Sequence, residues 1–383
     1  MRYWLLYALK DLSLKGQHRF ALLIILLSLI GVALAVALTL VILSVANGLK
    51  TELTQLLVKM TPHITVRHAR NEILYDYEGI VKQIEKIPDV EKVYPFLSTE
   101  VLISGPGGVE GAILQAVPET ADVPHRVSAL RSGIILGENL ADALGVQTGE
   151  EVTLTAPTGQ RGEFSVTGIF SSGLYQYDRG VSYMLLSRAQ EFISAGTGIS
   201  GLLCKVKEPL RAWSIARTIG QLLPPTYRTD SWDQVNRNVL LALSLQKRAL
   251  LIVLFFVILI AELVIVSSMT MRISGKAKEI GILNALGVTK RGIMFIFITE
   301  GISIAAIGVG SGCILAILLS IAIRMLPLGL PPGSYGLRYL PVTMAVGDFV
   351  LVSILTLGAS FLASLYPAQK AAKLSAAEAL RYG

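Results

Sequence analysis

The chain has 383 residues, of which 52% are hydrophobic and 16% are charged, a composition too apolar for an ordinary soluble domain. Its formal net charge is +7, but residues 50–248 carry 20 basic and 21 acidic side chains, so the basic excess lies in the flanking segments. This distribution argues against a nucleic-acid-binding surface on the central part of the chain.

Four stretches are apolar over about the 20 residues that a helix needs to cross a bilayer. The first covers residues 20–49 without a charge, and the second, residues 249–271, contains one acid, Glu262. The third covers residues 301–323 and the fourth residues 349–369. The fold class predicted is an α-helical membrane protein with four transmembrane helices and one large domain between the first and second helix.

Lysine and arginine are concentrated in the N-terminal flank, in the loop between the second and third apolar stretches, and in the C-terminal tail. By the positive-inside rule, these three segments face the cytoplasm. We therefore expect both termini inside and the large domain outside. The first apolar stretch is too long for the core of a cleavable signal peptide.

The outer domain is predicted to be mixed α/β, with two lobes. Alternating and β-branched runs indicate strands at residues 63–68, 93–104, 111–117, 151–156, 163–170, 181–186 and 202–206. Helical spacing indicates helices at residues 76–87, 139–144 and 210–223. Strand signals lapse near residue 118, which predicts a second lobe at about 125–197. Cys204 and Cys313 fall in different compartments, so no disulfide is expected within the domain.

The motifs of common enzyme sites are missing from the sequence. It contains no phosphate-binding P-loop, no zinc-protease His pair and no serine-hydrolase elbow. The run from Gly196 to Gly201 matches a dinucleotide-binding pattern, but the predicted helix precedes it and the strand follows it, which is the wrong order. We therefore expect no catalytic residues, no metal site and no cofactor in this chain.

Two acids lie in or beside the apolar stretches, where a carboxylate is costly unless it faces protein or water. Glu300 is expected to pair with Lys290 or Arg291 of the neighbouring loop. Glu262, near the middle of its stretch, is expected to make a polar contact with another helix, and a proton or substrate role is the alternative.

The loop between the second and third stretches contains a short amphipathic helix that ends at Gly287. Ile280 and Leu283 fall on one stripe of this helix, with Ile282 and Leu286 beside it. An apolar face on so short a helix needs a partner, which could be the bilayer surface or a cytoplasmic protein.

The sequence of this loop, Glu279-Ile-Gly-Ile-Leu-Asn-Ala-Leu-Gly287 followed by Lys290-Arg291, closely resembles the signature of the FtsX-like (MacB-type, type VII) ABC transporter permeases. The C-terminal run from Tyr366 to Arg381 resembles the closing motif of the same family. In that family the short helix is the coupling helix that docks on the ATPase subunit.

Further segments resemble the lipoprotein-releasing LolC/LolE subgroup, namely residues 43–49, 61–64, 168–178 and 187–190. The resemblance covers essentially the whole chain. The chain departs from the family pattern at Gly275, where a Glu is frequent, at Asn284, where a basic residue is frequent, at Glu262, and at Ser375-Ala376, where Asp-Pro is usual.

The resemblance implies a permease without its own ATPase site that works by mechanotransmission, with ATP and Mg bound by the partner. It also implies a MacB-like periplasmic core domain and residence in the bacterial inner membrane. The implied partners are a cytoplasmic ABC ATPase dimer, a second permease subunit, membrane lipid, an acylated lipoprotein as substrate and a periplasmic chaperone. Extraction needs ATP because each buried CH₂ of a lipid chain contributes about 0.8 kcal/mol to anchoring.

The resulting domain assignment is a cytoplasmic N-terminal amphipathic segment at 1–19, transmembrane helices at 20–46, 249–271, 292–324 and 346–367, a periplasmic domain at 47–248, a coupling-helix loop at 272–291, a short periplasmic loop at 325–345 and a cytoplasmic tail at 368–383. ATPase-coupling residues are expected at Lys276, Lys278, Glu279, Ile280, Leu283, Leu286, Gly287, Lys290 and Arg291, with Ile280, Leu283 and Leu286 as apolar anchors. Candidate residues of the substrate cavity are Leu40, Leu43, Ser44, Asn47, Gly48, Phe255, Leu259, Glu262 and Met269, and candidate chaperone contacts are Tyr175, Tyr177, Asp178 and Arg179.

Two other functions remain open. The chain could export a peptide, macrolide, haem or glycolipid together with a periplasmic adaptor. It could instead be a non-transporting signal coupler, like the FtsX of cell division, that activates a peptidoglycan hydrolase. Division FtsX proteins have a much smaller outer domain, which disfavours the last of these.

Overall fold

A computed structural model describes residues 19–121, 133–326 and 340–374, with side chains from residue 23 onward. The described residues divide into two compact units. The membrane unit comprises residues 19–49, 244–326 and 340–374, and the outer unit comprises residues 50–121 and 133–243. The predicted N-terminal amphipathic segment, much of the predicted 325–345 loop and most of the C-terminal motif lie outside the described residues.

The helices within the described residues are α1 (Arg19–Met60), α2 (Glu78–Glu85), α3 (Glu138–Leu144), α4 (Tyr175–Gly180), α5 (Leu186–Phe192), α6 (Ala212–Leu222), α7 (Trp232–Val235), α8 (Arg237–Gly275), α9 (Ala277–Ala285), α10 (Lys290–Met325) and α11 (Val346–Lys373). A 3₁₀ turn, Pro209–Arg211, precedes α6. Helices α1, α8, α10 and α11 are long and apolar enough to cross a membrane. Each is longer than the apolar stretch that predicted it.

The strands of the outer unit are β1 (Ile64–His68), β2 (Val90–Gly105), β3 (Gly108–Val117), β4 (Ile134–Gly137), β5 (Glu151–Thr155), β6 (Arg161–Phe170), β7 (Val181–Leu185), β8 (Gly201–Val206) and β9 (Tyr227–Ser231). The long strand β2 takes part in two layers. Its first half pairs with β8, which continues through β1 to β9 as an antiparallel sheet. Its second half pairs with both β3 and β5.

Six strands close into a ring in the order β2–β3–β7–β4–β6–β5 and back to β2. The pairs β3–β7 and β4–β6 are parallel and the others are antiparallel. Alternate residues point inward, and Ile103, Leu114 and Val166 are fully buried within one core that also contains side chains from the β8 sheet. The mixed α/β prediction for this domain is confirmed.

Two aspects of the predicted domain differ from the structure. The six-stranded ring is a closed barrel, and it includes β2 and β3, which precede the predicted second lobe at about 125–197. The predicted boundary fails because β2 pairs with strands of both layers. Strands β4 and β9 were not predicted. The first has only four residues, all buried, and shows no alternation. The second has the polar sequence Tyr-Arg-Thr-Asp-Ser and pairs only with β1 within the described residues.

Glycine residues allow close packing between helices in the membrane unit. A Cβ atom at Gly312 of α10 would lie 2.7 Å from the carbonyl oxygen of Ala33 in α1, and one at Gly308 would lie 2.9 Å from Val32. Association of membrane helices depends on such small residues because lipid supplies no hydrophobic driving force between helices. This packing joins α1 to α10 in the bundle core.

Candidate coupling helix and interhelical polar contacts

The short helix α9 lies between the membrane helices α8 and α10. The backbone N–H of Lys276 donates to the carbonyl oxygen of Arg272 at 2.9 Å just before α9 begins. After the helix, Gly287 adopts a φ of +85°, the left-handed conformation that commonly ends helices. The hydroxyl of Thr289 then accepts a hydrogen bond from the N–H of Gly292 at 3.2 Å and caps α10. The predicted helix and its glycine end are therefore confirmed.

The two sides of α9 differ in what they contact. Ile280 is only 2% exposed and belongs to the core of the membrane unit, and the neighbouring Gly281 is also buried. Leu283 is half-buried and lines a groove beside α10. On the other side, Ile282 is 56% exposed and Leu286 is 76% exposed. Ile282 within α9, and Leu286 directly after it, are therefore the large apolar side chains exposed on this side.

The prediction of Ile280 as an apolar anchor for the ATPase is wrong. The stripe of Ile280 and Leu283 faces α10, where Ile293 and Phe297 line the same groove and share its core. The apolar stripe of α9 therefore packs against the other helices of the membrane unit and does not form an outward face. Ile282, which the pattern placed only beside the stripe, takes the outward position.

Most of the charged residues predicted to couple to the ATPase are exposed, within α9 or at the start of α10. The predicted coupling residues Lys278, Glu279, Lys290 and Arg291 are exposed, while Lys276 is half-buried. Asn284, one of the departures from the family pattern, donates its side-chain amide to the carbonyl oxygen of Leu374 at 2.9 Å. That hydrogen bond ties α9 to the residue that follows α11.

A buried ion pair joins the last turn of α8 to α10. The guanidinium of Arg272 contacts the carboxylate of Glu300, and both side chains are more than nine-tenths buried. The predicted pairing of Glu300 with Lys290 or Arg291 is therefore wrong. Ten residues of helix rise about 15 Å, which places Glu300 well above the start of α10 and level with the end of α8.

Glu262 makes the interhelical contact that the sequence predicted. The hydroxyl of Ser360 in α11 donates to Oε1 of Glu262 in α8 at 2.7 Å, and both residues are buried. A hydroxyl partner offsets part of the cost of burying a carboxyl group among apolar helices. No described residue lies within hydrogen-bonding distance of Oε2 of Glu262.

A second polar cluster lies near residue 47 of α1. Asn47 donates its side-chain amide to Asp348 at 2.5 Å, and Lys247 donates to the side-chain oxygen of Asn47 at 2.9 Å. The Lys247 ammonium also lies 3.3 Å from the Asp348 carboxylate. Beside the cluster, a Cβ atom at Gly48 would overlap the carbonyl oxygen of Pro341 at 2.2 Å. Asn47 and Gly48, predicted to line a substrate cavity, thus hold α1 against α8 and the segment that leads into α11.

Most of the other predicted cavity residues are also interior. Leu40, Leu43, Ser44, Glu262 and Met269 are buried between helices of the membrane unit. The prediction that they line a cavity conflicts with this packing, because the family resemblance that implied it assigned residues by their position along two spans and did not distinguish the inner face of a span from the outer one. Phe255 and Leu259 are exposed and remain predictions.

The predicted chaperone contacts all lie in the helix α4. Asp178 is buried and accepts hydrogen bonds from the N–H groups of Ser172 and Gly173 at 2.8 and 3.2 Å. The hydroxyl of Tyr177 contacts that of Tyr183, and burial raises the pKa of both phenols. Asp178 therefore supports the domain from within and is not available to a partner, whereas Tyr177 is half-buried and its chaperone contact stays a prediction.

Tyr175 and Arg179 are the members of this set that reach the surface. The guanidinium of Arg179 donates to the Tyr175 hydroxyl at 3.2 Å and to Glu110 at 2.8 Å. The hydrogen bond with Tyr175 and the charge of Glu110 raise the pKa of Arg179. A chaperone contact at these two residues remains a prediction. Among the described residues, no group of three or more His, Cys, Asp or Glu side chains is arranged to hold a metal ion.

Comparisons with known proteins identify both parts of the chain. The MacB-like periplasmic core domain family matches residues 25–222, and the FtsX-like permease C-terminal family matches residues 251–376. The lipoprotein-releasing system transmembrane protein LolC of Xylella fastidiosa is 30% identical, over 98% of this chain and 97% of that protein. LolC of Neisseria meningitidis is 29% identical over 98% of both chains, and LolE of Haemophilus influenzae is 26% identical over 96% of both. The chain therefore belongs to the FtsX-like permeases with a MacB-like periplasmic core domain, the family that includes the LolC and LolE transmembrane proteins.

Proposed function

We propose that this chain is the permease subunit of an ABC transporter that extracts lipoproteins from the outer leaflet of the bacterial inner membrane and releases them to a periplasmic chaperone. The observation that carries the proposal is similarity over 98% of the chain to proteins named as components of lipoprotein-releasing systems. A match over the full length includes the outer unit, where exporters and signal couplers of the family would be expected to differ most.

The proposed mechanism is mechanotransmission, with ATP hydrolysed by a partner and the outer unit moved by the membrane helices. The continuity of two helices supports it. The boundary between the two units falls inside α1 and inside α8, and each helix continues through the boundary without a break. A continuous helix transmits a displacement along its axis because its backbone hydrogen bonds resist bending.

The ATPase is proposed to dock on the exposed side of α9. Ile282 and Leu286 would enter an apolar pocket of the partner, and the charged side chains of Lys278, Glu279 and Lys290 would surround them. Apolar anchors encircled by polar groups are the usual arrangement of an interface that carries most of its binding energy in a few residues. ATP and Mg would be bound by the ATPase alone. In this topology α9 and both termini are cytoplasmic.

The lipid-binding surface is proposed to be formed by the exposed faces of α1 and α8. Large apolar side chains line those faces at Leu34, Leu38, Ile252, Phe255, Phe256 and Leu259. A second permease subunit, either another copy or a homologous chain, would supply the opposite wall. Acyl chains held between the two walls would stay out of water until the outer units move.

The test is reconstitution of the chain with its ATPase and second permease subunit in nanodiscs, with a triacylated lipoprotein and a soluble chaperone. ATP-dependent transfer of the lipoprotein to the chaperone is expected. Absence of transfer, together with lipoprotein that fails to stimulate ATP hydrolysis, would overturn the proposal. Transport of a peptide or glycolipid instead, or activation of a hydrolase without transport, would favour the other two functions.

Two matched variants test the docking surface. Ile282→Asp places a charge in the proposed interface and should reduce ATPase binding about tenfold or more, as expected for a buried apolar anchor. Leu210→Asp introduces the same charge at an exposed leucine of the outer unit and should leave binding unchanged. Equal ATPase binding by the two variants would place the interface elsewhere.

A further inference from the structure

We propose that Arg272 and Glu300 are positioning residues that fix the rotation of the α8 end against α10 and thereby hold α9 in the orientation that couples ATP hydrolysis to release. This inference rests on the proposed function. It concerns a contact inside the chain, whereas the docking surface concerns groups that reach a partner.

The pair lies where three helices meet. Arg272 is in the last turn of α8, which ends at Gly275, and α9 begins two residues later. Glu300 lines the groove between α9 and α10, together with Lys276 and Glu279. A displacement of α9 is therefore passed to the membrane helices at the contact between the end of α8 and α10, which this ion pair forms.

The surroundings of the pair are apolar and tightly packed. Met269 and Ile273 of α8 and Phe297 of α10 are buried in the same core. One residue beyond Glu300, a Cβ atom at Gly301 would lie 2.7 Å from the hydroxyl of Ser364 in α11 and 3.0 Å from the sulfur of Met269. The helices cannot separate here without opening the core, so relative rotation or sliding is the motion left to them.

An ion pair resists that motion better than an apolar contact does. Removing two charges from water costs about as much as their attraction returns, so apolar residues of similar size would stabilise the fold equally well. Their contact would also tolerate sliding. The paired charges differ because a shift of one residue turns a helix side chain by about 100° and would leave each charge buried without its partner. The pair therefore fixes how α8 and α10 are aligned along and around their axes, rather than adding to the stability of the fold.

The decisive variant replaces both charges with apolar residues, Arg272→Met with Glu300→Met. It removes the pair without leaving a lone buried charge, so the complex should still assemble with the ATPase and hydrolyse ATP. Lipoprotein release per ATP hydrolysed is expected to fall about tenfold, which is within the range that coupling residues usually give. The exchanged pair, Arg272→Glu with Glu300→Arg, should recover most of that loss.

A second measurement does not depend on the substrate. Spin labels at Ser274→Cys, in the last turn of α8, and Met325→Cys, at the far end of α10, report the distance between the two helices. Both positions are exposed, and Cys204 and Cys313 are replaced by alanine beforehand. The distance distribution in the assembled complex should be narrow for the native pair, broad for the double methionine variant and narrow again for the exchanged pair.

The outcomes separate this inference from the proposed function. Wild-type complex that fails to release lipoprotein overturns the proposed function, while the distance distributions still decide the role of the pair. A double methionine variant with native release and a native distance distribution overturns the positioning role and leaves the pair as packing. If the double methionine variant does not assemble, the exchanged pair is the deciding variant. Release at nearly the wild-type level by the exchanged pair supports the inference. An exchanged-pair complex that assembles and hydrolyses ATP but does not release lipoprotein overturns it.

Discussion

The side-chain amide of Asn47 donates a hydrogen bond to the carboxylate of Asp348 at 2.5 Å, across 301 residues of sequence. The ammonium of Lys247 completes the cluster by contacting both partners. Because the three residues belong to α1, α8 and α11, one polar cluster joins three of the four membrane helices. A second hydrogen bond, from the backbone N–H of Thr343 to the carbonyl oxygen of Ser44 at 2.9 Å, also holds α1 to the segment that leads into α11.

This cluster predicts that Asp348→Ala destabilises the protein. The substitution leaves Lys247 and Asn47 without the acceptor that joins them, and loss of one partner of a charged hydrogen bond costs about 1–3 kcal/mol. Thermal unfolding of the chain in nanodiscs should show a lower midpoint. Asp76→Ala, at an exposed acid of the outer unit, is the control and should leave the midpoint unchanged. A midpoint equally unaffected in both variants would mean that the cluster adds nothing to stability.

Close packing of α1 against α10 gives a second prediction. Gly312→Ala should destabilise the protein by about 1–3 kcal/mol because the added methyl group meets the Ala33 carbonyl oxygen at 2.7 Å. Gly310→Ala, two residues away on the same helix, meets nothing within 4 Å and should be neutral or slightly stabilising. Thermal unfolding of the two variants side by side isolates the packing effect, since helix propensity changes equally in both. The same midpoint in the two would contradict the observed interface.

The sequence predicts the parts of this protein that depend on local pattern. Long apolar stretches, alternating strands and the glycine end of α9 follow from hydropathy and backbone preference within one segment. Strand β9 could not be found this way, because its polar residues are ordered by pairing with β1 from the far end of the domain. The closed barrel likewise depends on β2 pairing with strands on both sides.

The candidate site shows a sharper limit. Periodicity located α9 but made the buried Ile280 an outward anchor, although Leu286, predicted for the same role, is exposed. An apolar stripe looks the same whether a partner protein or the neighbouring α10 covers it. The pairing of Glu300 failed for a related reason. Lys290 and Arg291 are near in sequence, but Arg272 is the cation that lies beside Glu300 once α8 and α10 pack side by side.

Glu262 gives a prediction that separates its two possible roles. Glu262→Gln keeps an oxygen that can accept from the Ser360 hydroxyl, so the interhelical contact survives the change. ATP-dependent lipoprotein release should therefore stay within about twofold of the wild type, a barrier change of about 0.4 kcal/mol, because α8 and α11 keep the same hydrogen bond. Release in the reconstituted complex is the measurement. A loss of release in a stably folded Gln variant would instead indicate that the carboxyl group carries a proton or contacts substrate.

Acid sensitivity of the outer unit is predicted from His63. Burial lowers the pKa of this imidazole below its usual 6.5, and its Nδ1 accepts a hydrogen bond from the N–H of Val206 at 3.0 Å. The unfolded chain therefore binds a proton more readily than the folded one, so the contribution of His63 to stability is present above pH 6.5 and is lost as the pH falls below it. His63→Gln keeps an acceptor for Val206 but does not titrate. Thermal midpoints of the full chain measured from pH 8 to about pH 5 should fall less steeply in this variant than in the wild type, whereas identical slopes would show that His63 protonation is not linked to unfolding.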